Sequence, residues 1–99
     1  MSAEAKMEIR FFVDPATGLP HIYDHAVGEN EVEEILENPG EDRRGREGSR
    51  IAVGQTEGGR YLRVVYLPEG PDRVFVITAY ELSDKQLMAY RRRRRRKHR

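Results

Sequence analysis

Alternating apolar and polar residues mark the start of the patterned part of the chain. From Glu8 to Val13, every second residue is apolar, so that Ile9, Phe11 and Val13 lie on one side of an extended backbone. This alternation predicts a β-strand. The Asp14-Pro15 pair then ends this strand. Pro20 is well placed as the first residue of a short helix through His25, because a missing N–H costs nothing at that position.

A second helix is indicated by signals at both of its ends. Gly28 is a suitable N-cap, and Glu31 stands three residues later, where a capping side chain is expected. Apolar residues between Val32 and Leu36 form a one-sided stripe before the Asn-Pro-Gly sequence at 38–40 ends the helix. The outer face of this helix is rich in glutamate, which is typical of a solvated surface.

The second half of the chain predicts a β-meander. Residues 40–49 contain three glycines and no apolar side chain, so we expect a loop there. Strands are then predicted at about 50–56, 60–67 and 73–82, with connections short enough to form hairpins. Because the last two strands are apolar on both faces, we expect them in the middle of the sheet.

A third helix and a basic tract end the chain. Ser83 and Gln86 have the spacing of a capping box, which predicts a helix through Tyr90. Positions 91–99 then read RRRRRRKHR. Six consecutive arginines cover every side of a helix, so we expect this tract to bury no face and to be a solvated helix or a disordered tail.

Together these elements predict one α+β domain. Their order is β-α-α-β-β-β-α, and we expect a four-stranded, mainly antiparallel sheet with the helices on one face. A length of 99 residues leaves room for a single domain. We expect a frayed N-terminus at 1–7, the domain at 8–90 and a basic tail at 91–99.

Charge changes this picture more than composition does. The chain has 18 Lys or Arg and 17 Asp or Glu, but eight of the positive charges lie in 91–99. The first 90 residues therefore carry ten positive and 17 negative charges, a net of −7. An acidic domain with a basic tail predicts contact between the tail and RNA or another polyanion, since each neutralised phosphate releases a counterion. The predicted contact residues are Arg91, Arg92, Arg93, Arg94, Arg95, Arg96, Lys97 and Arg99.

Two other interpretations of the tail remain open. It could fold back on the acidic helix of the same chain, or it could serve only solubility.

The absence of cysteine excludes a disulfide scaffold, a thiol nucleophile and a thiolate zinc site. With no long apolar run and no signal-peptide pattern, the sequence predicts a soluble cytoplasmic protein without membrane contact.

Histidine and arginine positions suggest candidate chemistry. His21 and His25 lie four residues apart, on one face of a helix, but no third metal ligand is evident, so we expect no metal or cofactor. A general acid or base role for one histidine and an ordinary surface role both remain open. If Arg50 and Arg63 share a sheet face with Tyr80, they could hold a phosphodiester, although strand arginines are more often surface residues.

Several phrases of the sequence resemble a known family. FFVDP, HAV, VEEILENP, RIAVGQT, GRYLRVVYL and VFVITAYEL, spread over residues 8–92, resemble the BrnT-type members of the RelE/ParE toxin superfamily and related uncharacterised small domains. Members of that superfamily have a compact sheet-and-helix fold, and many cleave messenger RNA and are neutralised by an antitoxin protein. The resemblance implies a RelE-like fold, metal-independent ribonuclease activity of the toxin-antitoxin type, and RNA and a cognate antitoxin as partners. It leaves room for a homodimer.

The resemblance also implies site residues. His25 matches the histidine before the second helix, and Arg50 matches the arginine that opens the second strand. Tyr80 stands where BrnT-type sequences tend to have an arginine, so that position lacks a phosphate-binding charge. With Arg63 added from its strand position, the candidate catalytic set is His25 for proton transfer, Arg50 and Arg63 for charge stabilisation, and Tyr80 for positioning. A non-catalytic RNA- or ribosome-binding module and a protein-interaction domain are the alternatives.

Overall fold

A mixed five-stranded β-sheet organises the chain, and the computed structural model describes residues 7–97 of it. The strands are β1 (Glu8–Phe11), β2 (Glu41–Arg44), β3 (Arg50–Gln55), β4 (Tyr61–Pro68) and β5 (Arg73–Glu81). The helices are a short 3₁₀ helix (His21–His25), α1 (Glu29–Glu37) and α2 (Asp84–Lys97). This arrangement confirms the predicted α+β class.

The strands lie in the order β1-β5-β4-β3-β2. Antiparallel pairing of β3 with β4 and of β4 with β5 confirms the predicted meander. β1 pairs with β5 in parallel, which makes the sheet mixed. The central position of β4 and β5 agrees with their apolar residues on both faces.

The predicted count of four strands is wrong, because part of the expected loop is a strand. β2 pairs with β3 in antiparallel register, with Glu41 opposite Val53 and Arg44 opposite Arg50. All four residues of β2 are charged, so no apolar pattern indicated a strand. An edge strand can accept such a sequence, since its outer side faces water and charges there oppose edge-to-edge aggregation.

Helices cover both faces of the sheet, so the predicted placement on one face is also wrong. The 3₁₀ helix and α1 bury Ile22 and Ile35 against Leu62 and other residues of the central strands. On the opposite face, Tyr90 of α2 belongs to a smaller buried cluster with Val53 and its neighbours. The physical reason is that strands with two apolar faces need cover on both sides.

Capping signals placed both α-helices correctly. The N–H of Gly28 donates to Glu31 Oε1 at 3.0 Å, as its N-cap position requires. At α2, Ser83 N donates to Gln86 Oε1 (2.9 Å) while Gln86 N donates to Ser83 Oγ (3.2 Å), which completes a capping box.

The ends of the chain are only partly covered by the described residues. Of the expected frayed segment 1–7, residues 1–6 lie outside them, and Met7 is exposed. The helix α2 runs through most of the basic tract, to Lys97. No helix among residues 7–97 combines the length and the apolar character needed to cross a lipid bilayer.

Candidate functional site

The basic helix α2 is fixed to the sheet through Tyr90. The side chain of Tyr90 is 6% exposed, and burial raises the pKa of its hydroxyl. Gly40 permits this docking, because a Cβ atom at position 40 would overlap the hydroxyl of Tyr90. The arginine tract that follows Tyr90 is therefore held beside the start of β2.

Two arginines of the tract are tied to the protein itself. Arg93 binds Glu41 in a bidentate pair, with Nε to Oε2 at 2.6 Å and Nη2 to Oε1 at 2.9 Å. This hydrogen bonding raises the pKa of Arg93. Arg94 donates to the carbonyl oxygen of Gly40. The expectation that the tract buries no face is therefore wrong for Arg93 and Arg94, and the acidic partner lies on β2 rather than on the acidic helix α1.

The other arginines of α2 face outward. Within residues 7–97, no carboxylate forms an ion pair with Arg91, Arg92, Arg95 or Arg96. The guanidinium of Arg91 instead lies over the ring of Tyr61, 5.3 Å from its centre. The inward pairs thus fix the helix and leave the outward arginines available to an anionic ligand.

A groove of about 440 Å³ lies beside these arginines, and we call it the α2 groove. It is lined by Asn38, Gly40, Gln55, Tyr61, Tyr90, Arg91, Arg94 and Arg95. Guanidinium groups bind phosphate oxygens, aromatic rings stack on bases, and side-chain amides pair with base edges. The groove therefore combines the three kinds of group that recognise a nucleotide.

Sequence reasoning missed the contribution of Tyr61 to this groove. The ring of Tyr61 packs edge-on against Tyr90, with centroids 6.1 Å apart. No aromatic residue interrupts the arginine tract itself, so the tract alone gave no sign of base stacking. Strand alternation was the available signal, because it places Tyr61 on the same face of β4 as Val65, which also packs against α2.

Three of the four predicted catalytic residues meet near the end of β5. The ring of His25 lies edge-on to that of Tyr80, at 5.9 Å between centroids. The guanidinium carbon of Arg63 lies 6.0 Å from the centre of the Tyr80 ring. Arg63 Nε is buried and has no hydrogen-bond partner within residues 7–97. Tyr80 thus has a histidine at one side and a cation at another.

Arg50 lies apart from these residues, so the predicted single pocket is wrong in this respect. Arg50 stands opposite Tyr66 in the β3–β4 register, whereas Arg63 stands opposite Val53. Successive side chains of a strand point to opposite faces of the sheet, so Arg50 and Val53, three positions apart, lie on opposite faces. Arg63 pairs with Val53 and shares its face, so Arg50 and Arg63 lie on opposite faces of the sheet. Arg50 Nε also donates to Asp42 Oδ1 at 2.9 Å.

Asp42 explains why Arg50 is held where it is. The hydroxyl of Tyr66 donates to Asp42 Oδ2 at 2.7 Å, so one carboxylate joins β2, β3 and β4. Burial, followed by this hydrogen bond, raises the pKa of Tyr66 to about 12. Because Asp42 lies on the strand that the sequence did not reveal, its pairing with Arg50 could not be anticipated.

The 3₁₀ helix carries a separate group of metal-ligating side chains. Ligand atoms of Asp14, His21 and Asp24 all lie within 4.8 Å of one another. The sequence pattern had joined His21 with His25, whose ring stands edge-on to it at 5.2 Å between centroids. The preceding loop supplies Asp14, and Asp24 lies on the helix itself, three residues after His21.

A search against models of known protein families finds no match for this chain, and a search of functionally characterised proteins finds none either. A functional assignment therefore depends on the arrangement of the chain's own side chains. Among these arrangements, the α2 groove combines arginines, tyrosines and side-chain amides, which are groups suited to one class of ligand.

Proposed function

We propose that the protein binds single-stranded RNA through the α2 groove, as a non-catalytic module. The observation that carries this proposal is the position of the outward arginines of α2 beside the ring of Tyr61. The resemblance to BrnT-type proteins favours RNA among polyanions. On the same resemblance, and on the small α+β architecture, we propose that the fold is RelE-like.

Charge distribution supports this proposal. The first 90 residues carry ten positive and 17 negative charges, so their net charge of −7 disfavours a nucleic acid, whereas the tract attracts it. Glu41 neutralises Arg93 and thereby fixes the helix, while Arg91 and Arg95 have no carboxylate partner within the described chain. Binding energy is then concentrated on one side of one helix.

The size of the groove favours an unpaired strand over a duplex. A volume of about 440 Å³ admits a nucleotide rather than the width of a double helix. The planar guanidinium of Arg91 on Tyr61 extends the surface on which an unstacked base can lie. Asn38 and Gln55 also line the groove, and side-chain amides can pair with a base edge.

Binding to a labelled single-stranded RNA of about 12 nucleotides, measured by fluorescence anisotropy, tests this proposal. The double variant Arg91→Gln/Arg95→Gln should weaken binding by about tenfold or more at moderate salt. A matched control, Arg10→Gln/Arg73→Gln, removes the same charge from the β1–β5 edge, where both arginines pair with glutamates. Equal losses in the two variants would show that net charge alone determines binding and would contradict the proposal.

RNA cleavage is a second candidate function, supported by the contact between His25 and Tyr80. In that reaction the ribose 2′-hydroxyl loses its proton and attacks the adjacent phosphorus, the P–O5′ bond breaks, and the 5′-oxygen of the next nucleotide leaves as a hydroxyl. His25 accepts the first proton or donates the second. Arg63 would stabilise the developing charge and Tyr80 would position the phosphate. Arg50 has no part in this scheme, because it lies on the other face of the sheet. An antitoxin partner and a homodimer stay predictions.

Incubation of the protein with the same RNA distinguishes the two functions. Cleavage that is lost in His25→Ala but retained in Arg50→Gln would favour catalysis by the residues around Tyr80. Intact RNA that still binds in a manner dependent on Arg91 and Arg95 would favour the binding module.

A further inference from the structure

The loop between β1 and the 3₁₀ helix is closed by backbone contacts. Asp14 N donates to the carbonyl oxygen of Leu19 at 2.9 Å, and His21 N donates to that of Phe12 at 2.9 Å. An isolated antiparallel bridge joins Val13 with Pro20 between these two bonds. The closed loop therefore holds Asp14 next to His21, although seven positions separate them.

A second carboxylate reaches the same point through the geometry of the 3₁₀ helix. Three residues per turn place positions i and i+3 directly above each other, so Asp24 lies over His21. Asp24 Oδ2 lies 3.4 Å from His21 Nδ1. Metal–ligand bonds of about 2.0–2.2 Å in tetrahedral geometry separate ligand atoms by about 3.3–3.6 Å, so this spacing already suits a shared ion.

The imidazole of His21 is held in a defined orientation. It makes edge contacts with the rings of Phe12, at 6.0 Å, and of His25, at 5.2 Å between centroids. Asp14 Oδ1 accepts the backbone N–H of Ala16 at 2.9 Å, which orients that carboxylate as well. The side chains of Asp14, His21 and Asp24, from the loop and the 3₁₀ helix, are thus positioned before an ion binds.

Charge and access also suit a cation. The side chain of His21 is 32% exposed and that of Asp24 is 48% exposed, so an ion can enter from solvent. Within residues 7–97, no lysine or arginine pairs with Asp14 or Asp24. The two carboxylates therefore offer negative charge to a cation.

We propose that Asp14, His21 and Asp24 bind one divalent first-row transition-metal ion, with water completing its coordination. The imidazole nitrogen favours zinc, cobalt or nickel over magnesium and calcium, which prefer ligand sets made of oxygen. The bound ion would join the loop after β1 to the 3₁₀ helix and thereby stabilise the folded chain. This site shares no residue with the α2 groove and does not depend on RNA binding.

Calorimetric titration of the metal-free full chain with Zn²⁺ or Co²⁺ tests the proposal. We expect one ion per chain, and a higher melting temperature with metal than without it. His21→Ala and Asp24→Asn should each weaken binding by at least about tenfold, a change that even an outer-shell partner can produce. Excess Mg²⁺ should not displace the bound ion.

Two matched controls use the other histidines of the chain. His25→Ala removes an imidazole that contacts His21 and should keep binding at one ion per chain, with a smaller loss of affinity than His21→Ala. His98→Ala removes the histidine of the tail, which lies outside the described residues, and should leave binding unchanged. Circular dichroism verifies that each variant is folded, and Asp24→Asn, at an exposed position, preserves the test if His21→Ala does not fold.

The proposal would be overturned by three results. One is the lack of saturable binding at one ion per chain. Another is unchanged affinity in Asp24→Asn, which would exclude that carboxylate as a ligand. The third is equal loss in His25→Ala and His21→Ala, which would assign the ion to the histidine pair.

Discussion

The two faces of the sheet differ in what they bury. On the α1 face, eleven buried residues form one continuous apolar cluster. On the α2 face, three of the described residues are buried in the cluster, and partly buried side chains surround them. Because apolar burial supplies most of the folding free energy, the α1 face carries stability and the α2 face presents charge.

Buried polar atoms without a hydrogen-bond partner are a second difference between the two faces. Arg63 Nε and Thr78 Oγ1 are buried without a hydrogen-bond partner within residues 7–97. Arg63 and Thr78 stand opposite Tyr80 and Val65 in the β4–β5 register, on the α2 side of the sheet. An unsatisfied buried polar group costs about 1–3 kcal/mol. Such costs are expected where a surface is shaped for function rather than for packing.

The largest effect is expected from a cavity on the α1 face. Leu62→Ala should lower the free energy of unfolding by about 2–5 kcal/mol, since Leu62 is 0% exposed and its neighbours cannot fill the space. Urea denaturation measures this change. The RNA affinity of the folded variant should stay within about twofold of the original, because packing on this face does not form the groove. A selective loss of RNA affinity would break the proposed division between the faces.

A smaller but still large effect is expected at the contact between β2 and α2. Gly40→Ala should destabilise the fold by about 1–3 kcal/mol, because the added Cβ overlaps the buried Tyr90. It should also weaken RNA binding, since the arginine helix must shift. Gly58→Ala is the matched control, as the nearest atom to its Cβ would be 3.8 Å away. Equal melting temperatures for the two variants would contradict the proposed close docking.

Removal of one ring tests the α2 groove without changing charge. Tyr61→Leu should cost about 1–3 kcal/mol of RNA-binding free energy through lost base stacking, with the salt dependence of binding unaltered. Fluorescence anisotropy at several salt concentrations measures both quantities. Tyr23→Leu alters an exposed tyrosine on the 3₁₀ helix and should leave RNA binding unchanged. If both variants bind like the original protein, the ring is not a stacking platform.

The smallest effect concerns pH and the link between β2, β3 and β4. The pKa of Tyr66 is about 12 in the folded chain, against a model-peptide value of 10.0. Between these two pH values the unfolded chain loses the Tyr66 proton first, so stability falls as pH rises through this window. Tyr66→Phe should flatten this fall in melting temperature. Parallel curves for the two proteins would contradict the shifted pKa.

Local signals predicted much of the fold. The capping residues of α1 and α2 and the hairpins between β3, β4 and β5 depend on neighbours within a few positions, so the sequence was sufficient for them. β2 was missed because its charged residues have no pattern of their own and, among the described strands, it pairs with β3 alone. The parallel pairing of β1 with β5 joins segments that are distant in the sequence, so local patterns did not predict it either.

The candidate site was predicted only in part, because its contacts join residues that are distant in the sequence. The cationic residues of the tract are evident from composition, but their division into inward and outward groups depends on Glu41, about fifty positions earlier. The pairing of Arg50 with Asp42 and the approach of Tyr61 to Arg91 likewise require the folded sheet. For the contact between Tyr61 and Arg91, the one available signal was the alternation of side chains along β4.

We propose that the outward arginines of α2, rather than net charge, bind RNA in the groove. The most direct test is the slope of log affinity against log salt for the original protein, for Arg91→Gln/Arg95→Gln and for Arg10→Gln/Arg73→Gln. We predict a slope of about −3 for the original protein and one shallower by about 1.4 for the groove variant, since each phosphate contact on a single strand contributes about −0.7. The edge variant should keep the original slope. Identical slopes for all three proteins would contradict the claim.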